Sequence, residues 1–295
     1  PSDETNKLSP WLTLPEEAVN AVKKVQGKSH YRAYAGIYSG GANAVYRLNI
    51  LGIASQRKEK IEIPAYLRDI IGFKGVEIAI KDIVIENRIT NKIQKEVESV
   101  KTAIEDFFVF PLISKQHLKK WKIQSYIYTL QMQDPKKRIG YDERWVKVNF
   151  SKTFRYLKGF EDAIGERSSS AVRQLMEKGP FYSMYAVGEY TFSPYKVVWN
   201  RIGSKLEACV ISSVNDEFLG EKLVLPEEHL IFIPTEKEVE AYFLCALMNS
   251  TILDFVLRSF AGGPLNFGSP KAFEDTVRIP EFDAKNDAHS KLAEL

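Results

Sequence analysis

The sequence predicts an α+β fold, with mixed and antiparallel sheets and packing helices, on three observations. Tyr195, Val197, Trp199 and Arg201 alternate with Lys196, Val198, Asn200 and Ile202, the two-residue period of a strand. Gly203-Ser204 offers a turn, and Ala208-Cys209-Val210-Ile211 returns as a more apolar partner, so the pair reads as a β-hairpin. By contrast, Val239, Phe243, Ala246, Leu247, Ile252, Phe255 and Val256 recur at helical spacing between Glu236 and Phe260. The chain of 295 residues is 44% hydrophobic and 12% aromatic, without repeats or low-complexity tracts, which suffices for one large core or two ordinary ones.

In chain order, Pro15-Glu16-Glu17 opens a helix spanning 10–28, with Val19, Val22 and Val25 on one face and Gly27 ending it. Gly36, Gly40 and Gly41 mark a turn before a strand beginning at Val45–Ile50. Such a turn can cradle phosphate through its amides, but the spacing is neither a P-loop nor a dinucleotide fingerprint; a tight turn between strands fits equally. Lys58–Glu62 and Val76–Glu86 read as extended, with a bulge or turn at Lys81-Asp82. Ile93, Val97, Val100 and Ile104 predict a helix over Lys92–Phe107. Ile123–Met132 is a strand with Tyr126 and Tyr128 on one face, and Asp134–Arg138 is a turn. A helix follows over Ala163–Lys178, with Glu166 and Arg167 near its start, and Gly179-Pro180 ends it. Phe181–Val187, Leu223–Leu225 and His229–Pro234 are strands, and Thr235 with Glu238 forms a capping box for the helix 236–260, which breaks near Asn249-Ser250. The core closes over Phe273–Pro280, leaving a polar tail.

No run of eighteen apolar residues exists, so no membrane span is expected, and the N-terminal residues lack the regions of a signal peptide. A cytoplasmic location is therefore expected, with Cys209 and Cys245 as buried, reduced thiols. Pro1 in place of Met suggests a fragment of a longer protein. His30, His117, His229 and His289 are scattered, and neither they nor the cysteines have metal-ligand spacing.

The net charge of +3 is unevenly spread: Pro111–Lys152 carries ten Lys and Arg against three acids, +7 locally, and the remainder sums to −4. Trp121, Tyr126, Tyr128 and Trp145 interleave with these cations. Nucleic-acid surfaces combine cations for phosphates with donors and flat faces for bases, although a solvated basic face has the same composition.

Four phrases in this order resemble one family: Phe-Pro-Leu-Ile-Ser-Lys-Gln-His-Leu-Lys-Lys-Trp (110–121), Pro-Tyr-Lys-Val-Val-Trp-Asn-Arg-Ile (194–202), Ala-Tyr-Phe-Leu-Cys-Ala-Leu-Met-Asn-Ser (241–250) and Val-Arg-Ile-Pro (277–280). They are similar to the C-terminal target-recognition region, the TaqI-like specificity domain, of adenine-specific DNA methyltransferases from type II restriction-modification systems. Gly36–Tyr46 resembles the segment joining that region to the catalytic domain. The resemblance covers about residues 30 to 281. It implies a lead-in helix or linker over 1–30, a connecting α+β segment over 31–108, a DNA target-recognition domain over 109–281 and a polar tail over 282–295. The family's Asn/Asp-Pro-Pro-Tyr/Phe catalytic loop and Phe-x-Gly-x-Gly cofactor loop are both missing from this chain.

The resemblance therefore implies recognition without chemistry: no cofactor held here, S-adenosylmethionine in a separate catalytic domain of the same or another chain, and double-stranded DNA as partner. Whether the chain is an enzyme by itself stays open. Lys115, Lys119, Lys120, Lys136, Lys137 and Arg138 are the expected phosphate contacts. Asn200, Arg201, Lys205 and Asn266 are candidates for base or phosphate contact. Two alternatives remain: a separate specificity subunit docking through the 236–260 helix, and an independent enzyme with an unfamiliar cofactor site at 36–46.

Overall fold

A computed structural model describes residues 15–70, 77–89, 97–167, 169–262 and 266–294. The first third of the chain supplies α1 (Glu16–Val25), β1 (Tyr34–Ala35), α2 (Asn43–Tyr46), β2 (Arg47–Glu59), α3 (Ala65–Ile70), β3 (Ile78–Asn87) and β4 (Lys101–Glu105). The middle supplies β5 (Val109–Ile113), β6 (Leu118–Lys119), β7 (Lys122–Ile123), β8 (Ile127–Leu130), α4 (Glu143–Asn149), α5 (Ser151–Lys158), α6 (Glu161–Gly165) and α7 (Ser170–Lys178). The last part supplies β9 (Tyr195–Asn200), β10 (Ala208–Ile211), β11 (Ser213–Asp216), β12 (Gly220–Leu223), β13 (Leu225–Pro226), β14 (Leu230–Thr235), α8 (Glu238–Met248), α9 (Thr251–Val256), α10 (Pro270–Thr276) and α11 (Asp287–Ala293). The fold is α+β, as expected.

Among the described residues, strands β13-β5-β8-β2-β3-β4 make one sheet and β1-β14-β9-β10 another. The first is antiparallel except for the parallel β13–β5 pair. Its core holds Ile80, Ile83, Ile85, Ile104, Leu112 and Leu130, with Val146, Leu157 and Ile164 from the helices beside it. The second sheet is covered on both faces. Val197, Trp199, Ile231 and Ile233 pack against Phe243, Leu244 and Met248 of α8, while Val198, Cys209 and Phe232 pack against Ile113 and Leu118. The sequence alternation across β9 has the right parity, but neither face is a surface: Trp199 and Lys196 are both fully buried. The Lys196 ammonium donates to Ser193 O at 2.8 Å, and burial brings its pKa down to about 7 despite the nearby Glu236.

Gly36 sits where the two sheets meet. A Cβ there would lie 2.1 Å from Glu227 O and 2.4 Å from Pro226 O, so only glycine permits this approach. Gly40 is buried, with Val172 Cγ2 2.8 Å from where its Cβ would lie, and both Gly40 and Gly41 have positive φ, 76° and 102°. Ser39 donates to Asn43 Oδ1 at 2.7 Å, and Asn43 in turn donates to the Glu228 carboxylate at 3.4 Å.

Several expected elements differ. Residues 90–96 lie outside the described residues, and the rest of the expected 92–107 helix contains strand β4, paired through Ile104↔Ile83 and Glu105↔Asp82. Pairing along β3 overrides a spacing that only Val97, Val100 and Ile104 support there. The irregularity expected at Lys81-Asp82 lies across the ladder on β2, where the register shifts between Ile50 and Gly52 and again between Ile53 and Ser55. The 163–178 helix is two helices, because Arg167 is buried between them. Its guanidinium donates to Ile164 O, Ser39 O and Ser183 O at 2.9, 3.1 and 2.7 Å, and also to Phe181 O. Those bonds hold 181–187 as an irregular segment with a single bridge, Tyr38↔Tyr185, instead of a strand. Thr235 ends β14, Lys237 caps α8, and no side-chain capping bond forms. Within the expected polar tail, α11 packs on α8, with the His289 ring 4.5 Å from Phe243. The expected boundary between residues 108 and 109 runs through one sheet, since β3, β4, β5 and β8 share it.

Candidate nucleic-acid interface

The basic segment folds into a small ribbon. After β5, Ser114 N donates to His117 Nδ1 at 2.9 Å, which rounds the chain through a 3₁₀ turn bearing Lys115. Strands β6 and β7 then pair Leu118↔Ile123 and Lys119↔Lys122, with Lys120-Trp121 as a two-residue turn. Leu118 anchors the ribbon in the core beside Cys209, and Trp121 N donates to Ala208 O at 2.8 Å, tying the tip to β10. Lys119 and Lys122 therefore face each other as like charges, an arrangement that costs stability in the absence of an anion. The Lys115 ammonium lies 3.6 Å from the Cβ position that Gly203 lacks, so the ribbon adjoins the β9–β10 turn. Arg201 and Lys205 are exposed on that turn. Lys115, Lys119, Lys120, Arg201 and Lys205, far apart in sequence, are thus brought to two adjoining turns, together with Lys122.

Asn200 does not belong to this surface. It is buried, with Nδ2 donating to Ile202 O at 3.2 Å and Lys205 O at 2.9 Å and Oδ1 accepting from Glu207 N at 2.8 Å. All of its polar atoms shape the turn, which removes it as a base-reading residue. Asn266 is half-buried, and its Oδ1 accepts from Gly268 N at 2.9 Å. Its backbone bridges Ile202, so it buttresses the Arg201 turn from behind, and residues 263–265 of its loop lie outside the described residues.

Lys136, Lys137 and Arg138 form a separate group. Asp134 Oδ1 accepts from the amides of Lys136 and Lys137 at 2.9 Å each, its other oxygen accepts from the Tyr66 hydroxyl, and Arg138 N donates to Asp134 O at 2.8 Å. The carboxylate thereby fixes a turn with all three cations outward. The Lys136 ammonium lies 5.2 Å from the Tyr66 ring centroid and the Arg138 guanidinium 6.0 Å from that of Tyr190. Tyr190 stacks on Tyr34 of β1, with centroids 3.8 Å apart and planes 12° from parallel. The two cationic groups therefore flank opposite edges of the four-stranded sheet, β1 and β10.

A large groove of about 1030 Å³, lined by residues of both sheets, has the opposite sign. Asp69, Asp106, Glu189, Glu221, Glu236 and Glu238 line it against one lysine, Lys222, so it repels a polyanion. Burial keeps the Lys222 pKa below its usual value despite Asp106, and its ammonium is spent on the carbonyls of Asp106 and Phe107 at 3.3 and 3.1 Å. At the 36–46 turn Ser39 is buried and Asn43 is engaged by the Glu228 carboxylate, which sets a negative charge beside the turn.

Sequence reasoning paired Tyr126 with Tyr128 but missed what they serve. Both hydroxyls donate to Asp216 Oδ2 at 2.8 Å, while Asp216 Oδ1 accepts from Phe218 N and Leu219 N at 2.9 Å. Burial pushes the Asp216 pKa up, but these bonds outweigh it and hold the carboxyl below its usual range. Lys152, counted in the basic segment, is ion-paired with Asp82 at 2.6 Å. Glu227, from a stretch without an evident motif, is buried at the junction of the sheets and bonded to Arg47. Burial and Glu228 raise its pKa to about 7 against the opposing effect of Arg47.

No family model matches the sequence. The DNA-bound structure of the type IIL restriction-modification enzyme MmeI aligns with 62% of this chain and 21% of that one, at a TM-score of 0.39 and 12% identity. The type II methyltransferase M.NspV of Nostoc sp. (strain ATCC 29411 / PCC 7524) is 29% identical over 152 residues, which is 50% of this chain and 29% of that protein. The chain is thus similar, over half its length, to a part of a restriction-modification methyltransferase.

Proposed function

We propose that this chain is the sequence-specific, double-stranded DNA recognition module of an adenine-specific methyltransferase from a type II restriction-modification system. The observation that carries the reading is the convergence of Lys115, Lys119, Lys120, Lys122, Arg201 and Lys205 on two adjoining exposed turns, in a chain similar to part of a type II methyltransferase. The lysines neutralise backbone phosphates and set register on the duplex. Arg201, on a turn held rigid by Asn200, offers the forked donor that reads guanine in the major groove. A methyltransferase catalytic domain, in the same or another chain, supplies S-adenosylmethionine and accepts the extruded adenine, whose exocyclic nitrogen is unreachable within the duplex.

The test is the Lys119→Ala/Lys120→Ala double variant, titrated with duplex DNA at several salt concentrations. Affinity falls for every sequence, and the slope of log K against log salt drops by about 2. Unchanged affinity at low salt would show that the ribbon is not the footprint. A separate subunit docking through 236–260 finds less support, because most of the apolar side chains of α8 are spent on the core and on α11, leaving Val239 and Tyr242 exposed.

A further inference from the structure

Trp121 occupies the tip of the β6–β7 ribbon, 45% exposed, in a backbone conformation that bulky residues avoid, φ 75°. Nearly half of the residue remains exposed in this left-handed conformation. Among the described residues its ring contact is with the Lys120 ammonium, 5.8 Å from the centroid. A glycine or asparagine would make the same two-residue turn without strain. The tip is nonetheless fixed, through Trp121 N to Ala208 O at 2.8 Å and the buried Leu118 beneath it. The result is a flat apolar ring held outward on a rigid mount, with Lys119, Lys120 and Lys122 around it.

We propose that Trp121 is a wedge that stacks on, or inserts beside, a base of the bound DNA while the three lysines hold the flanking phosphates. Resting on the DNA-recognition reading, this inference adds a stacking contact to what would otherwise be charge and edge recognition. The physical logic is that of apolar wedges that unstack a base step, here between cations that prevent the duplex from drifting off the tip. Backbone strain of this kind, at a half-exposed aromatic ring among cations, clusters at ligand-binding sites. Local unstacking would also lower the work of extruding a nearby adenine.

The experiment compares Trp121→Gly and Trp121→Phe with the unaltered chain on two duplexes, one fully paired and one carrying a mismatch, across a salt series. Glycine takes φ 75° freely, so Trp121→Gly should melt at or above the parent temperature, which separates loss of the ring from loss of the fold. The parent should prefer the mismatched duplex by about tenfold, since its weakened step costs less to open. Trp121→Gly should lose that preference while its salt slope persists, and Trp121→Phe should keep most of it. A parent without the preference, or a glycine variant that retains it, overturns the wedge. If salt-dependent binding persists in that case, DNA recognition survives without it. If no variant binds either duplex at low salt, the recognition reading and the wedge fall together.

Discussion

Single residues decide which of the polar side chains near the cationic turns are free to act. Asn200 and Arg201 are neighbours, yet one is enclosed by three hydrogen bonds and the other is exposed. Replacing Asn200 by Ala strands two carbonyls and an amide, a loss on the order of 3 kcal/mol. Urea denaturation should show that loss, and any fall in DNA affinity should track the unfolded fraction. Arg201→Ala should do the reverse. The sequence placed both residues on a strand end but could not separate them, because alternation reports which face a side chain takes and not whether a turn consumes its amide. The same limit hid Lys196, whose burial follows from a second layer over β9 that no local pattern announces.

Among the elements, strands were more legible than helices. The β9–β10 hairpin, β3 and the break after α8 follow from period and turn chemistry acting locally. Strand β4 and the irregular 181–187 segment were misread because partners distant in sequence, β3 and Arg167, impose their conformation. The β11–β12 hairpin shows how such a distant tie can be tested. Asp216 closes its turn and accepts both Tyr126 and Tyr128, so the hairpin is fastened to the strand after the cationic ribbon. The Asp216 carboxyl lies below its usual range in the folded chain, so its contribution is present above about pH 3.9 and is lost as pH falls through the folded value. Asp216→Asn should destabilise the chain at pH 7 and lessen the steepness of its acid unfolding, read from melting temperatures between pH 2 and 6.

For the whole molecule, the junction of the two sheets matters most. β13 belongs to one sheet and β14 to the other, with Glu227 between them, facing Arg47 and packed against Gly36. The Glu227 pKa is raised to about 7 against about 4.3 in an unfolded chain, so the folded state holds more protons between those values. Stability therefore declines as pH rises from about 4.5 to 7, and the loss is complete above that window. Glu227→Gln should flatten this slope, measured as the difference in urea midpoint between pH 5 and pH 8. Nothing in the sequence flagged Glu227, because Gly36 and Arg47, which shape its environment, reach it only through the fold.

The stiffness of the four-stranded sheet has a metric consequence. Strands β1 and β10 are its outer members, three ladder steps or about 14 Å apart, and Arg138 and the Trp121 ribbon lie beyond those two edges, Arg138 by way of Tyr190 and Tyr34 and the ribbon by way of Ala208. Such a frame acts as a gauge: the gap between the two cationic groups is set by hydrogen-bonded backbone that no surface substitution can reset.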